Sequence, residues 1–177
     1  GDPRLSTVPS RRFAVKVLVA VLLACAGLPA AAAGNLSSAP LFAATLFDLD
    51  NKSVAVAAYK GKPLIVNFWA RWCAPCRVEI PELVDIQTRF NARGIEVIGV
   101  SLESDAPPVR DFAKAYDVNY TVLLTRDKGI ALMQALGNPK AALPYTVVVN
   151  RQGEIVASKL GAMTRAELES AADAALK

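Results

Sequence analysis

Two cysteines stand three positions apart in the run Trp72-Cys73-Ala74-Pro75-Cys76. A thiol pair at this spacing on the first turn of a helix suits thiolate attack on a disulfide, followed by closure of an internal one. The continuous apolar run Leu64 to Trp69 just before the pair reads as a buried strand, and Ala74 to about Ala92 reads as a helix. Cys73 is therefore expected at the helix start, where unpaired amides and the helix dipole favour its thiolate. Arg71 and Arg77 are expected to add positive charge there. One turn on, Cys76 returns to the same side of the helix, within reach of a disulfide. Pro75 fits because a first-turn residue has no intrahelical amide bond to lose. Cys73, the more exposed, is expected to attack a substrate disulfide and Cys76 to resolve the mixed disulfide.

Other uses of the pair are poorer. A bridge closing so short a loop removes little entropy from the unfolded chain, so a purely structural role has little reason behind it. The chain has no histidine and only three cysteines, so it offers no imidazole base and no second ligand pair for zinc. The alternative from a different class is a copper-delivery or metal-binding module, with Cys73 and Cys76 holding a soft cation such as Cu(I). Met133 and Met163 are distant in sequence and do not help it. Glu79, three positions after Cys76, lies on a neighbouring helix face. With histidine absent, it is the candidate to move protons for the two sulfurs. When ionised it should raise the cysteine pKa values, and the three titrations should be coupled. No cofactor is called for beyond the redox-active disulfide.

The elements that must carry these groups follow from the rest of the 177 residues. Arg11, Arg12 and Lys16 precede an uncharged run, Val17 to Ala33, that ends in Gly27, Pro29 and alanines. That order is the order of an export signal, with a membrane anchor or lipidation at Cys25 as alternatives. Residues 1–33 are read as this leader, 34–40 as a linker and 41–177 as one α/β domain, placed outside the cytoplasm, with a membrane tether as the alternative to release. Arg4, Arg11, Arg12 and Lys16 against Asp2 account for +3 of the formal charge of +4, so the domain is nearly neutral and nucleic acid is not an expected partner. Leu41 to Leu49 and Ser53 to Ala57 read as a hairpin. Ile95 to Val100, Thr121 to Leu124, Tyr145 to Asn150 and Glu154 to Leu160 read as strands, Pro108 to Tyr116 and Ile130 to Leu136 as helices. Thr164 opens a last helix with Glu167 three residues on, as in a capping box. The buried strands require helices on both faces of the sheet.

Val66-Asn67-Phe68-Trp69-Ala70-Arg71-Trp72-Cys73-Ala74-Pro75-Cys76-Arg77, with Leu143-Pro144-Tyr145-Thr146 about 70 residues later, resembles the TlpA/ResA-type branch of the thioredoxin superfamily. The likeness covers roughly residues 41 to 176. It implies a thioredoxin-like fold, a central mixed sheet flanked by helices, with an N-terminal β-hairpin and an extra strand-helix insert. It also implies an exported or membrane-tethered thiol:disulfide oxidoreductase, reducing disulfide-containing client proteins with electrons from a membrane thiol carrier, in many members during cytochrome c or oxidase assembly. The position matching Glu79 holds a glutamate near the redox pair in that branch. Pro144 matches a cis-proline facing the disulfide, and Leu143 before it can pair its backbone with an extended substrate. Trp72, beside Cys73, is expected to be partly exposed and to touch the substrate. Asn67 stands where thioredoxin has a buried aspartate and cannot titrate. A peroxidatic reading would need proline at Val66 and threonine at Ala70, and fails at both.

Overall fold

Six consecutive buried residues make β3 (Leu64–Trp69) the middle of the molecule. The computed structural model describes residues 35–177; the leader read at 1–33, including Cys25, lies outside them. Strand β3 pairs in parallel with β4 (Glu96–Ser101) and antiparallel with β6 (Tyr145–Val149). Outward from these lie β5 (Thr121–Leu124) on one side and β7 (Ile155–Leu160) on the other. A hairpin of β1 (Thr45–Phe47) and β2 (Ser53–Ala55) completes a seven-strand mixed sheet in the order β2-β1-β5-β4-β3-β6-β7.

Alternation along β3 sends side chains to two faces. Leu64, Val66 and Phe68 meet Leu41 and Phe42 of α1 (Ala39–Ala43) and Leu132 and Met133 of α4 (Gly129–Ala135) in one cluster. Ile65 meets Leu83, Ile86 and Phe90 of α2 (Ala74–Phe90) and Leu168 and Ala172 of α5 (Arg165–Ala175) on the other. Farther along that second face, Trp69 packs with Cys73, Cys76 and Ile80 and with Val109 of α3 (Ala106–Ala115). The fold is therefore the expected α/β sheet with helices on both faces, with the hairpin at one edge. The capping box at α5 is formed, Thr164 Oγ1 accepting from the Glu167 amide and Glu167 Oε2 from the Thr164 amide.

Two boundaries differ from the sequence reading. The segment from Leu41 read as strand begins as helix α1, which takes Ala39 and Pro40 out of the expected 34–40 linker. Pro40 presets the first helical turn and has no amide to leave unpaired, the Ser38 carbonyl accepts from Leu41 and Phe42, and both of those side chains are buried. Val56 and Ala57, read as the end of a strand, belong instead to a 3-10 turn, Val56–Tyr59.

Candidate active site

The strand-to-helix junction puts Cys73 at the N-cap of α2, with its backbone extended at φ −90° and ψ 104°. Its Sγ accepts from the Cys76 amide at 3.3 Å, one of the donors that the first turn leaves without an intrahelical partner. Cys73 and Cys76 are joined as a disulfide with their Cα atoms 5.3 Å apart. Cys73 is 6% exposed and Cys76 1%, so a partner arriving from solvent meets Cys73 first. Trp72, next to it, is 70% exposed. The Leu143–Pro144 bond is cis, and Leu143 is half-buried and packs against the apolar cluster that contains both cysteines. The structure thus gathers Trp72, Cys73, Cys76 and Leu143, with Pro144 following, at the end of the sheet where β3 finishes.

The two arginines near the pair have different fates. Arg71 donates its Nε to Glu103 Oε1 at 2.7 Å and its backbone amide to Glu103 Oε2 at 3.0 Å. Its positive charge is answered by a carboxylate and is not free to favour a Cys73 thiolate, which corrects the sequence expectation. Arg77 reaches back over the turn to donate to the Arg71 carbonyl at 3.2 Å.

Glu79 is buried, 1% exposed. Its Oε1 accepts from the Met163 amide at 3.0 Å and its Oε2 from Asn67 Nδ2 at 3.1 Å. Burial is the main cause that pushes its carboxyl above the usual glutamate range; the Met163 amide, Asn67 and the charge of Lys159 oppose the shift, and Glu167 adds to it. A carboxyl so placed, three residues after Cys76 on one helix and held above the usual glutamate range, suits the taking up and giving back of a proton.

The sequence marks Asn67 by resemblance as standing at thioredoxin's buried-aspartate position, and Thr146 only as part of the Leu143-Pro144-Tyr145-Thr146 run. They face each other across β3 and β6, and Asn67 Nδ2 donates to Thr146 Oγ1 at 3.0 Å as well as to Glu79. A polar residue in the run LIVNFW must find a partner when buried, a signal that could have pointed to such a contact without naming its other half. Among the described residues no group of three or more His, Cys, Asp or Glu side chains is gathered as a metal site.

The Redoxin family matches residues 32–176 of the chain. Over 131 residues the chain is 30% identical to the thiol-disulfide oxidoreductase ResA of Bacillus thuringiensis subsp. konkukian, covering 74% of this chain and 72% of that protein. It is 32% identical over 128 residues to ResA of Bacillus subtilis, covering 72% and 68%. A thioredoxin-family thiol:disulfide interchange protein from Chlorobium tepidum has a similar structure, with TM-score 0.67 and 27% identity over 76% of this chain and 93% of that one. A DsbF homologue from Corynebacterium diphtheriae has TM-score 0.63 and 28% identity over 73% and 82%.

Proposed function

Because the chain belongs to the Redoxin family, as a thiol:disulfide oxidoreductase of the ResA/TlpA-like kind, we propose that it reduces disulfides of client proteins outside the cytoplasm, with Cys73 as nucleophile and Cys76 as resolving thiol. The observation that carries this reading is the position of Cys73, capping α2 with its sulfur on an unpaired amide while its partner is buried beneath it.

In the reduced enzyme the Cys73 thiolate attacks one sulfur of the client disulfide. That bond breaks, the client's other sulfur leaves as a thiolate and takes a proton, and a mixed disulfide joins client and Cys73. Cys76, losing its proton to Glu79, then attacks Cys73 Sγ. The Cys73–Cys76 bond forms, the second client thiol departs, and two electrons have passed from enzyme to client. The bridged form is what an electron donor must reduce, and a membrane thiol carrier is the proposed donor. Trp72 and the backbone of Leu143, before Pro144, are the proposed client contacts. The order basic, apolar, small in residues 1–33 supports export with cleavage, lipidation at Cys25 or retention as a tether; no helix among the described residues is long and apolar enough to cross a membrane. Cytochrome c or oxidase maturation is the proposed setting, supported by the resemblance to the TlpA/ResA branch.

The test is Cys76→Ala expressed in cells. Mixed disulfides through Cys73 should accumulate, and the trapped client identifies the setting. A variant that captures nothing while the wild type still turns over disulfides would count against the assigned order of attack.

A further inference from the structure

A row of side chains crosses the sheet in register at one level: Asn67 of β3 is paired with Thr146 of β6, and Thr146 with Lys159 of β7, while Gly99 of β4 stands on the far side of Asn67. Residues paired in register project to the same face. This is the face that α2 and α5 cover, because Ile65 and Val148, two residues from Asn67 and Thr146, pack there against Leu83 and Leu168. The polar row therefore runs beneath the helices from the buried middle strand to the edge of the sheet. Its inner end holds Glu79 through Asn67. At its outer end Lys159 Nζ donates to Glu167 Oε1 at 2.8 Å and to Oε2 at 2.6 Å. The segment between Lys159 and Glu167 turns back over the row and supplies the Met163 amide to the other oxygen of Glu79.

We propose that Asn67, Thr146 and Lys159 act as one cross-sheet positioning row that orients Glu79, with Glu167 at the rim as the counterweight to Lys159. This rests on the reading that Glu79 handles the proton of the cysteine pair. Both carboxylate oxygens already receive N–H donors, so the hydrogen bonding favours the charge that burial opposes. Asn67 has no charge of its own to add, and Thr146 fixes it by occupying the second amide hydrogen. Lys159 lies at the partly exposed edge, with its side chain 35% accessible, so its pull on Glu79 is long-range and open to screening by salt. The other titratable or charged groups around Glu79 are the cysteines on its own helix and Tyr120 ahead of β5, whose phenol is pushed up by burial and by Glu79 itself. Arg165 of α5 is turned outward to Glu82 of α2 at 2.8 Å.

The row predicts shifts of opposite sign, which a loss of packing would not produce. In the oxidised protein, where the cysteines do not titrate, the Glu79 midpoint is read by carboxyl carbon-13 NMR. Lys159→Met should raise it and Glu167→Gln lower it, each by a few tenths of a pH unit at low salt, with both shifts shrinking in about 1 M salt as screening sets in. Gln at position 167 can still complete the capping box. Asn67→Ala should raise the midpoint by about one unit whatever the salt, and Thr146→Val by less. If Asn67→Ala fails to fold, Asn67→Ser carries the same expectation. Equal or same-sign shifts for the two rim variants, or an unmoved midpoint in the Asn67 variant, overturn the row. The reading of Glu79 is judged separately, by whether Glu79→Gln alters the pH profile of client reduction. A shifted midpoint with an unaltered profile upholds the row and removes Glu79 from the chemistry.

Discussion

The backbone amide of Met163 donates to Glu79 Oε1 at 3.0 Å across 84 residues of sequence, tying the turn before α5 to the second turn of α2. The contact supplies a buried carboxyl with a backbone donor from across the fold, which offsets part of the upward shift that burial imposes on it.

Glu79 ionises near 4.5 in an ordinary setting and at higher pH in the folded chain, chiefly because it is buried. Below the unfolded value the group is protonated in both states and burial carries no charge penalty. As pH rises through the interval up to the folded value, the native state keeps a proton that the unfolded state has lost, so stability falls. Glu79→Gln cannot titrate and should lack this slope, with a constant offset because its amide end meets an N–H donor. Urea unfolding of both proteins from pH 4 to pH 8 should show the wild type losing ground to the variant as pH increases. Parallel curves would place the Glu79 carboxyl at its ordinary value.

Cys73 and Cys76 should separate in reactivity once reduced. Cys73 is the more exposed of the two and stands at the helix start, so limiting iodoacetamide should modify it first. Peptide mass mapping after a pH series reads this directly. Equal labelling, or Cys76 ahead of Cys73, contradicts the assignment.

Trp72→Ala should leave stability within about 0.5 kcal/mol of wild type, since the side chain lies mostly in water. Its proposed role is client contact, and loss of an aromatic anchor is expected to raise the client KM by about tenfold with little change in kcat. Steady-state reduction of a client disulfide separates the two constants. An unchanged KM would remove Trp72 from the client surface.

Local rules reached some parts of this molecule and not others. The apolar run of β3, the cysteine spacing behind it and the Thr164/Glu167 cap are each contained in a few consecutive residues, and each stands where local chemistry puts it. Helix α1 was hidden because it spans only Ala39–Ala43 and owes its form to burial of Leu41 and Phe42 against the sheet. Arg71 read as a free cation because Glu103, its partner, is 32 residues away. The same limit held at Asn67. Its type in a buried strand demanded a partner, but Glu79 and Thr146 lie 12 and 79 residues from it, and only the sheet register brings them together.

Asn67→Asp tests that register most severely. The new carboxyl would sit where an amide now donates to Glu79 Oε2 at 3.1 Å, replacing a donor with an acid beside an acid at a buried position. Two carboxylates at this distance cannot both ionise at low cost, so they should share a proton and titrate as a pair. The pair's higher step should be raised above the wild-type Glu79, which means the native state holds a proton that the unfolded chain gives up on going from acid to neutral pH. Stability should then fall as pH rises, by on the order of 3 kcal/mol at pH 7 relative to wild type, and recover toward it near pH 4, where the shared proton restores a donor between the two groups. Thermal unfolding at the two pH values decides it. A deficit of the same size at both would mean that the substitution disturbs packing alone and that residue 67 does not face the Glu79 carboxyl.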